Sequence, residues 1–188
     1  MGLIRVVGGA LRGRRIRVPD RGVRPTSERT REAIFDVLGP AAVAGARVLD
    51  LYAGTGALGI EALSRGAAWA DFAEGSRAVA RRLSENLAAL GLAERSRVLV
   101  ADLGRAALPR AAAGPWEIVF LDPPYAGDAG SRWLGALASI AWPPAGGLVV
   151  YERFRGRETE RPAGLALLTE RDYGDTIVAF FRAERSAT

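Results

Sequence analysis

The chain of 188 residues contains no cysteine and no histidine. It also lacks lysine, so all 26 of its basic residues are arginines. Without cysteine there can be no disulfide, thiolate metal site or cysteine nucleophile. The absence of histidine excludes imidazole bases and most zinc chemistry, and the absence of lysine excludes Schiff-base chemistry. We therefore expect no metal site and no covalent catalysis of these kinds.

Length and composition are those of one globular domain, with 49% hydrophobic and 25% charged residues. The basic start is not followed by an apolar run, so we expect no signal peptide. The uncharged stretch 133–151 is nearly long enough to span a bilayer. Two prolines and two glycines interrupt it, which favours a buried helix, a turn and a buried strand. We expect a soluble, cytoplasmic and monomeric protein.

Positive charge is concentrated at the N-terminus. Residues 1–31 contain nine arginines and two acids, a net charge of +7, whereas the rest of the chain has a net charge of −2. A basic segment on a near-neutral body indicates a polyanionic partner. We expect residues 1–25 to form a basic hairpin or arm that binds nucleic acid, and residues 26–188 to form the main domain. The arginines expected to contact nucleic acid are Arg5, Arg12, Arg14, Arg15, Arg17 and Arg24.

Hydrophobic periodicity predicts an α/β fold. Residues 3–7 and 14–18 are β-prone runs around glycines and predict a hairpin. Strands and helices then alternate, and their solid apolar strands predict a mostly parallel sheet with helices on both faces. The predicted strands are 47–52, 68–73, 97–100, 117–121 and 147–151, the predicted helices are 57–65, 76–90, about 103–110 and 130–140, and a closing antiparallel hairpin is predicted at 165–170 and 176–182.

A further helix is predicted ahead of the first main-domain strand. Thr26 or Ser27 can cap it, and it should run to about Leu38. Its apolar spacing predicts that one face is buried and the opposite face exposed. The positions expected to be buried are Ile34, Val37 and Leu38, and those expected to be exposed are Arg29, Arg31 and Glu32.

A glycine-rich turn follows the first strand of the main domain. Gly54, Gly56 and Gly59 match the G-x-G-x-x-G pattern of adenosine-cofactor sites. Glu74 ends the next strand, where a carboxylate can bind ribose hydroxyls. NAD and S-adenosylmethionine both fit these features. Asp50 favours S-adenosylmethionine, because an anion there repels a pyrophosphate but suits an ammonium group, and the usual proton donors of dehydrogenases are missing.

The tetrapeptide Asp122-Pro123-Pro124-Tyr125 follows a buried strand, where open α/β sheets bind ligands. Two prolines remove two N–H donors, so hydrogen-bond acceptors remain beside an aromatic ring. Acceptors on both N–H bonds of a planar conjugated amine would free its lone pair toward a methyl donor. Tyr125 can stack on an extruded base. The tetrapeptide therefore indicates methylation of an exocyclic amino group on a nucleic-acid base.

These motifs together resemble one family. VLDLYAGTGALGIEALSRGA, then Glu74, Asp102 and FLDPPY are similar to the bacterial 16S ribosomal RNA guanine-N2 methyltransferases of the small subunit. IRVVGGALRGRRIRVP, RPTSERTREAIFDVL and RDYGDTIVAFF resemble the opening and closing segments of that family. The resemblance covers nearly the whole chain. It implies a class I methyltransferase fold with a Rossmann-like, mostly parallel seven-stranded sheet.

The resemblance also implies a division of roles. Asp50, Gly54 and Gly56 would hold the methionine part of S-adenosylmethionine, Glu74 the ribose and Asp102 the adenine edge. Asp122 and Tyr125 would hold the target guanine, within a catalytic set that includes Pro123 and Pro124. Ala53 and Leu103 complete the expected cofactor site. The implied partner is 16S ribosomal RNA within the small subunit or its precursor.

Three alternatives remain open at this stage. DNA adenine-N6 methyltransferases also use a D-P-P-Y site, although they usually carry a recognition insert for which this chain has no room. Protein-glutamine methyltransferases usually begin the tetrapeptide with asparagine, and here Asp122 stands instead. A non-catalytic RNA-binding Rossmann module would bind S-adenosylmethionine without transferring its methyl group.

Overall fold

The computed structural model describes residues 2–18, 26–105, 114–124, 127–139 and 144–184. The chain begins with the predicted hairpin, in which β1 (Gly2–Arg5) pairs antiparallel with β2 (Arg15–Val18). The elements that follow are α1 (Glu28–Leu38), α2 (Pro40–Val43), β3 (Arg47–Leu51), α3 (Ala57–Ser64), β4 (Trp69–Glu74), α4 (Arg77–Ala89), β5 (Ser96–Val100), β6 (Ile118–Leu121), α5 (Ala129–Ser139), β7 (Leu148–Phe154), β8 (Leu165–Tyr173) and β9 (Thr176–Ala183). Among these, only the short helix α2 was not predicted. Of the helix predicted at about 103–110, the structure has a 3-10 turn at Leu103–Arg105, and residues 106–110 lie outside the described residues.

Seven strands form one sheet in the order β5-β4-β3-β6-β7-β9-β8. The five strands from β5 to β7 are parallel, and the closing hairpin β8–β9 is antiparallel to β7. Strand order reverses between β3 and β6, and open α/β sheets bind ligands beyond the carboxyl ends of the strands at such a point. The fold therefore brings the glycine-rich turn after β3 beside the Asp122 segment after β6.

Helices cover both faces of the sheet, as predicted. One core cluster packs α1, α3 and α4 on one face, and a second packs α5 on the other. Apolar residues alternate between the two clusters along each central strand, because successive strand side chains point to opposite faces. No helix in the described part of the chain is both long and apolar enough to traverse a bilayer.

Helix α1 begins where predicted, since the Ser27 hydroxyl accepts the Thr30 amide at 3.0 Å. The prediction of its faces was partly wrong. Val37 is 38% exposed, whereas Phe35 is buried against Phe120. Arg31, expected to face solvent, is 0% exposed. Its two terminal NH groups donate to two backbone carbonyls outside the helix, which a helical pattern cannot reveal.

The N-terminal hairpin is docked on α3 and α4 through buried polar side chains. The Glu61 carboxylate is fully buried and accepts the amides of Val7 at 2.8 Å and Gly8 at 2.7 Å. Asn86 on α4 exchanges two hydrogen bonds with the backbone of Arg17, at 3.1 and 3.0 Å. Buried polar groups with matched partners fix orientation, so the hairpin is an ordered part of the structure.

Candidate active site

A cavity of about 580 Å³ opens at the carboxyl ends of β3, β4, β6 and β7. It is bordered by the first turn of α1, the glycine-rich turn, the Asp122 segment and the tip of the β8–β9 hairpin. The described lining residues include four acids and no basic residue. These acids are Asp50, Glu74, Asp122 and Glu152.

The glycine-rich turn is joined to β4 through Glu74. One carboxylate oxygen of Glu74 accepts the Gly54 amide at 3.0 Å, and the other accepts the Ser76 amide at 2.7 Å. Gly54 has φ 52°, a conformation that favours glycine. Ala53 and Gly54 line the cavity as predicted for a ligand-facing turn. Each Glu74 oxygen retains a second lone pair with which to accept a ligand hydroxyl.

Gly56 lies in the same turn but is not among the residues that line the cavity. Its φ is 78°, and a Cβ placed on it would lie 2.3 Å from the Leu83 side chain. The residue thus allows the left-handed turn that starts α3 and its packing on α4. The structure assigns Gly56 to the shape of the turn, and its proposed cofactor contact stays a prediction.

Asp50 is buried near the end of β3, and its carboxylate accepts the Gly59 amide at 2.9 Å. Burial raises the pKa of the Asp50 carboxyl well above its ordinary value, and the charges of Asp122 and Glu74 raise it further. The Gly59 hydrogen bond opposes this rise in pKa. A cation entering the cavity would favour the ionised form of this carboxyl and so lower its pKa again.

A second cavity of about 530 Å³ adjoins the first and shares Tyr52 and Glu74 with it. Both Asp102 and Leu103 line it, on the far side of Glu74. The exposed Asp102 carboxylate accepts the Gly104 amide at 3.1 Å. The Leu103 carbonyl accepts the Tyr52 hydroxyl at 3.0 Å and the Trp133 indole at 2.9 Å. These contacts place the expected adenine-binding residues next to the expected ribose-binding residue.

Tyr52 is the one residue other than glycine with a positive φ among those described, at 58°. Side chains with a Cβ rarely adopt this conformation, and the surrounding structure must hold it. Two hydrogen bonds to its hydroxyl group do so: it donates to Leu103 and accepts from Trp133 at 3.2 Å. Tyr52 therefore holds a strained backbone conformation at a position where it lines both cavities.

Asp122 follows β6 directly and lines the first cavity together with Pro123 and Pro124. Burial raises the pKa of the Asp122 carboxyl to about 7, and its hydrogen bond with Thr26 opposes the rise. Tyr125, the fourth residue of the predicted set, lies outside the described residues.

Two further residues reach this carboxylate and were not predicted. The Thr26 hydroxyl lies 3.5 Å from Asp122 and 3.1 Å from Glu152. Glu152, on β7, is 4% exposed. Burial raises the pKa of the Glu152 carboxyl well above its ordinary value, and the neighbouring Asp122 adds to the rise. One signal was available, because an acid directly follows the apolar run LVVY.

Five of the six predicted RNA-binding arginines lie in the described hairpin, and all five are exposed. Arg5 forms an ion pair with Glu28 at 3.3 Å, and Arg14 donates to the Ala89 carbonyl at 3.2 Å. Arg24 lies outside the described residues. The exposed basic surface of the hairpin is therefore formed by Arg5, Arg12, Arg14, Arg15 and Arg17.

Residues 4–182 match the protein family described as Conserved hypothetical protein 95. The chain belongs to this family. It is 45% identical to ribosomal RNA small subunit methyltransferase D of Escherichia coli (strain K12) over 125 residues, which is 66% of this chain and 61% of that protein. The aligned part thus spans less than two thirds of the E. coli relative. The protein of the same name from Haemophilus influenzae is 31% identical over 92% of this chain and 90% of its own length.

The family assignment extends to three dimensions. The solved structure of the E. coli protein yhhF matches this one with a TM-score of 0.84 at 36% identity, covering 98% of this chain and all of that one. The predicted class I methyltransferase fold is confirmed, including its seven-stranded Rossmann-like sheet. The resemblance to the family of small-subunit ribosomal RNA methyltransferases is confirmed as well.

Proposed function

We propose that this family member transfers a methyl group from S-adenosylmethionine to the exocyclic N2 amino group of a guanosine in 16S ribosomal RNA. The observation that carries the proposal is the position of Asp122, Pro123 and Pro124 at the wall of an acidic cavity that continues from the glycine-rich turn. A methyl donor and an amine acceptor can both reach this one space. The ribosomal RNA methyltransferase names of the relatives support the choice of substrate class.

The charge of the cavity fits S-adenosylmethionine. The cofactor carries a sulfonium and an ammonium cation, and four carboxyl groups surround the described part of the cavity. Asp50 and the amide of Gly54 would hold the methionine end, Glu74 the ribose and Asp102 the adenine. A dinucleotide fits less well, since its pyrophosphate would lie among carboxylates and no described lining residue is basic. When bound, the cofactor supplies an electrophilic methyl group.

Asp122 orients the acceptor amine. Its carboxylate accepts one amine N–H, and proline at the next two positions removes backbone donors that would compete for the nitrogen lone pair. As the new C–N bond forms and the methyl–sulfur bond breaks, the nitrogen becomes positively charged and must lose one proton. The Asp122 carboxylate, with a pKa raised to about 7, is placed to accept that proton.

Assembled small subunits are the proposed substrate, with the N-terminal hairpin as the RNA-binding element. The hairpin is docked by Glu61 and Asn86 on the same domain that holds the cavity. Its arginines can therefore bind phosphates at a fixed distance from Asp122. The remaining expectations, a cytoplasmic monomer and residues 1–25 as a basic hairpin or arm, belong to the same proposal.

Methyl transfer to small subunits tests the proposal. Particles from a strain that lacks the endogenous activity would be incubated with the purified protein and isotope-labelled S-adenosylmethionine. We expect label in N2-methylguanosine at one position of 16S ribosomal RNA, found by mass spectrometry of nuclease fragments. Label in N6-methyladenosine of DNA would instead support the first alternative. Saturable cofactor binding without transfer to any particle would support a non-catalytic module.

A further inference from the structure

Glu152 lies beside Asp122 at the carboxyl edge of the sheet. Leu121 and Tyr151 are paired in the parallel ladder of β6 and β7, so the next residue on each strand is Asp122 and Glu152. Both side chains line the cavity. A carboxyl that is 4% exposed and faces a cavity is costly unless it has a hydrogen-bond donor or a ligand. We therefore asked which group donates hydrogen bonds to the Glu152 carboxyl.

The described residues supply too few hydrogen-bond donors for this pair of carboxyls. The Thr26 hydroxyl has one proton and lies within reach of both carboxyls, at 3.1 Å from Glu152 and 3.5 Å from Asp122. It can therefore donate to only one of them at a time. The buried guanidinium of Arg31 is close enough to act on Glu152 electrostatically, yet it donates its hydrogen bonds to the carbonyls of Thr26 and Arg5, each at 2.6 Å.

Two adjacent acceptors suit a ligand with two adjacent donors. Guanine presents the ring N1–H next to its N2 amino group on the Watson–Crick edge. Adenine presents an amino group next to an unprotonated N1, whose lone pair would face a carboxylate oxygen. An extruded base is read on this edge. If Asp122 accepts a hydrogen bond from the reactive amine, the neighbouring Glu152 carboxyl faces the N1 atom of the base.

We propose that Glu152 determines base specificity by accepting the N1–H of the target guanine while Asp122 accepts the N2 amine. The proposal rests on the proposed function and adds a residue to it. The Thr26 hydroxyl lies within reach of both carboxyls and can donate to either one of them before the base arrives. A base without N1–H leaves Glu152 buried beside a lone pair, and sites built to bind a hydrogen-bond donor reject analogues that lack it.

The test pairs a base analogue with protein variants. Small subunits would be assembled from ligated 16S ribosomal RNA carrying guanine or 2-aminopurine at the methylated position. 2-Aminopurine keeps the reactive 2-amino group but has no N1–H. Initial transfer rates would be measured for the wild type, Glu152→Ala, Glu152→Gln and the exposed control Glu158→Gln, with S-adenosylmethionine affinity and melting temperature recorded for each.

We expect the wild type and Glu158→Gln to prefer guanine over 2-aminopurine by at least about tenfold. Glu152→Ala should lower transfer to guanine by about tenfold or more and reduce the preference to about twofold, with unchanged cofactor affinity. Glu152→Gln should fall between them, because its amide oxygen can still accept N1–H. Contacts to guanine O6, which 2-aminopurine also lacks, would persist in Glu152→Ala and so are separated from the effect of Glu152.

Each contrary result has a distinct meaning. Equal preference for guanine in the wild type and Glu152→Ala would overturn the role of Glu152. Wild-type transfer to 2-aminopurine as fast as to guanine would also overturn it, since Glu152 would then be acting as a neutral donor to an unprotonated N1. No transfer to guanine particles by the wild type would contradict the proposed function itself.

Discussion

At the scale of single residues, Asp122 has a proposed role in catalysis, and its burial is expected to lower the free energy of unfolding. Its carboxylate is proposed to act on the target amine, so its contribution should appear mainly in the transition state. We predict that Asp122→Ala retains the fold and S-adenosylmethionine affinity but transfers methyl groups at least about a hundredfold more slowly. Single-turnover rates and calorimetry would measure the two properties separately. A variant that lost cofactor affinity but kept its single-turnover rate would show that Asp122 belongs to the cofactor site.

The raised pKa of Asp122 also predicts how stability depends on pH. Burial lifts the pKa of this carboxyl from 3.8 to about 7, so the folded state holds a proton that the unfolded state has released between these values. The free energy of unfolding contributed by Asp122 therefore falls as pH rises through that window and is lowest above it. The substitution Asp122→Asn replaces the titrating carboxyl with a neutral amide and so removes this contribution to the pH dependence of stability.

We predict that Asp122→Asn raises the free energy of unfolding by roughly 1–2 kcal/mol at about pH 8 and by much less at about pH 4.5. Urea unfolding at both pH values would measure the difference. Equal effects at the two pH values would mean that Asp122 does not titrate with a raised pKa. The same substitution should impair methyl transfer, which would illustrate stability given up for function.

Glu74 connects the glycine-rich turn to the proposed ribose site. Removing its carboxylate eliminates the acceptors for the Gly54 and Ser76 amides and for the proposed ribose contact. We predict that Glu74→Ala weakens S-adenosylmethionine binding by roughly 1.5–3 kcal/mol, the range for hydrogen bonds to a charged group. Calorimetry would test this, with the exposed Glu85→Ala as a control expected to bind normally. Unchanged affinity in Glu74→Ala would remove Glu74 from the cofactor site.

At the scale of secondary-structure elements, the sequence allowed most strands and helices to be located but not all of their faces. Apolar strands that alternate with helices predicted the parallel sheet. The motifs at the strand ends predicted that Asp50, Glu74 and Asp122 lie at one edge of that sheet. Glu152 was missed, because the pairing of Leu121 with Tyr151 that brings it beside Asp122 is a tertiary property. Arg31 was misplaced for the same kind of reason: its partners are carbonyls of residues 5 and 26.

Close packing of α3 on the sheet depends on Gly59. A Cβ at this position would lie 2.3 Å from the ring of Phe72, which is fully buried and has no room to move. We predict that Gly59→Ala lowers the free energy of unfolding by roughly 1–3 kcal/mol despite the better helix propensity of alanine. The matched control is Gly135→Ala in α5, where no atom lies within 4 Å of the new Cβ. It should raise stability by about 0.5–1 kcal/mol, and denaturant unfolding of both variants would decide between packing and propensity.

At the scale of the whole molecule, charge is segregated in a way that suits a polyanionic substrate and a cationic cofactor. The basic residues of the hairpin lie outside the cavity, and the acids gather within it. Arg31 links the two regions, because its guanidinium joins the Arg5 carbonyl at the end of β1 to the Thr26 carbonyl at the cavity wall. The hairpin and the cavity wall are thus joined through hydrogen bonds of one buried side chain.

The last prediction concerns this basic hairpin as an RNA-binding surface. Arg12, Arg14 and Arg15 are all exposed, and Arg14 also donates a hydrogen bond to the Ala89 carbonyl. Guanidinium groups bind phosphate in a bidentate manner, and each phosphate neutralised adds roughly 0.7–0.9 to the slope of log affinity against log salt. We predict that replacing all three arginines with glutamine lowers affinity for small subunits and reduces that slope by about two to three units.

A matched triple variant separates position from net charge. Arg161, Arg171 and Arg182 are exposed on or beside β8 and β9, outside the hairpin, so their replacement removes the same charge from another part of the surface. This control should change the slope by less than about one unit, because only charges near bound phosphates release counterions. Melting temperature and S-adenosylmethionine affinity should stay unchanged in both variants, since none of the six residues lines the cavity. If the hairpin variant kept the wild-type salt slope, its arginines would be solvated surface groups, and the hairpin would serve only to cover α3 and α4.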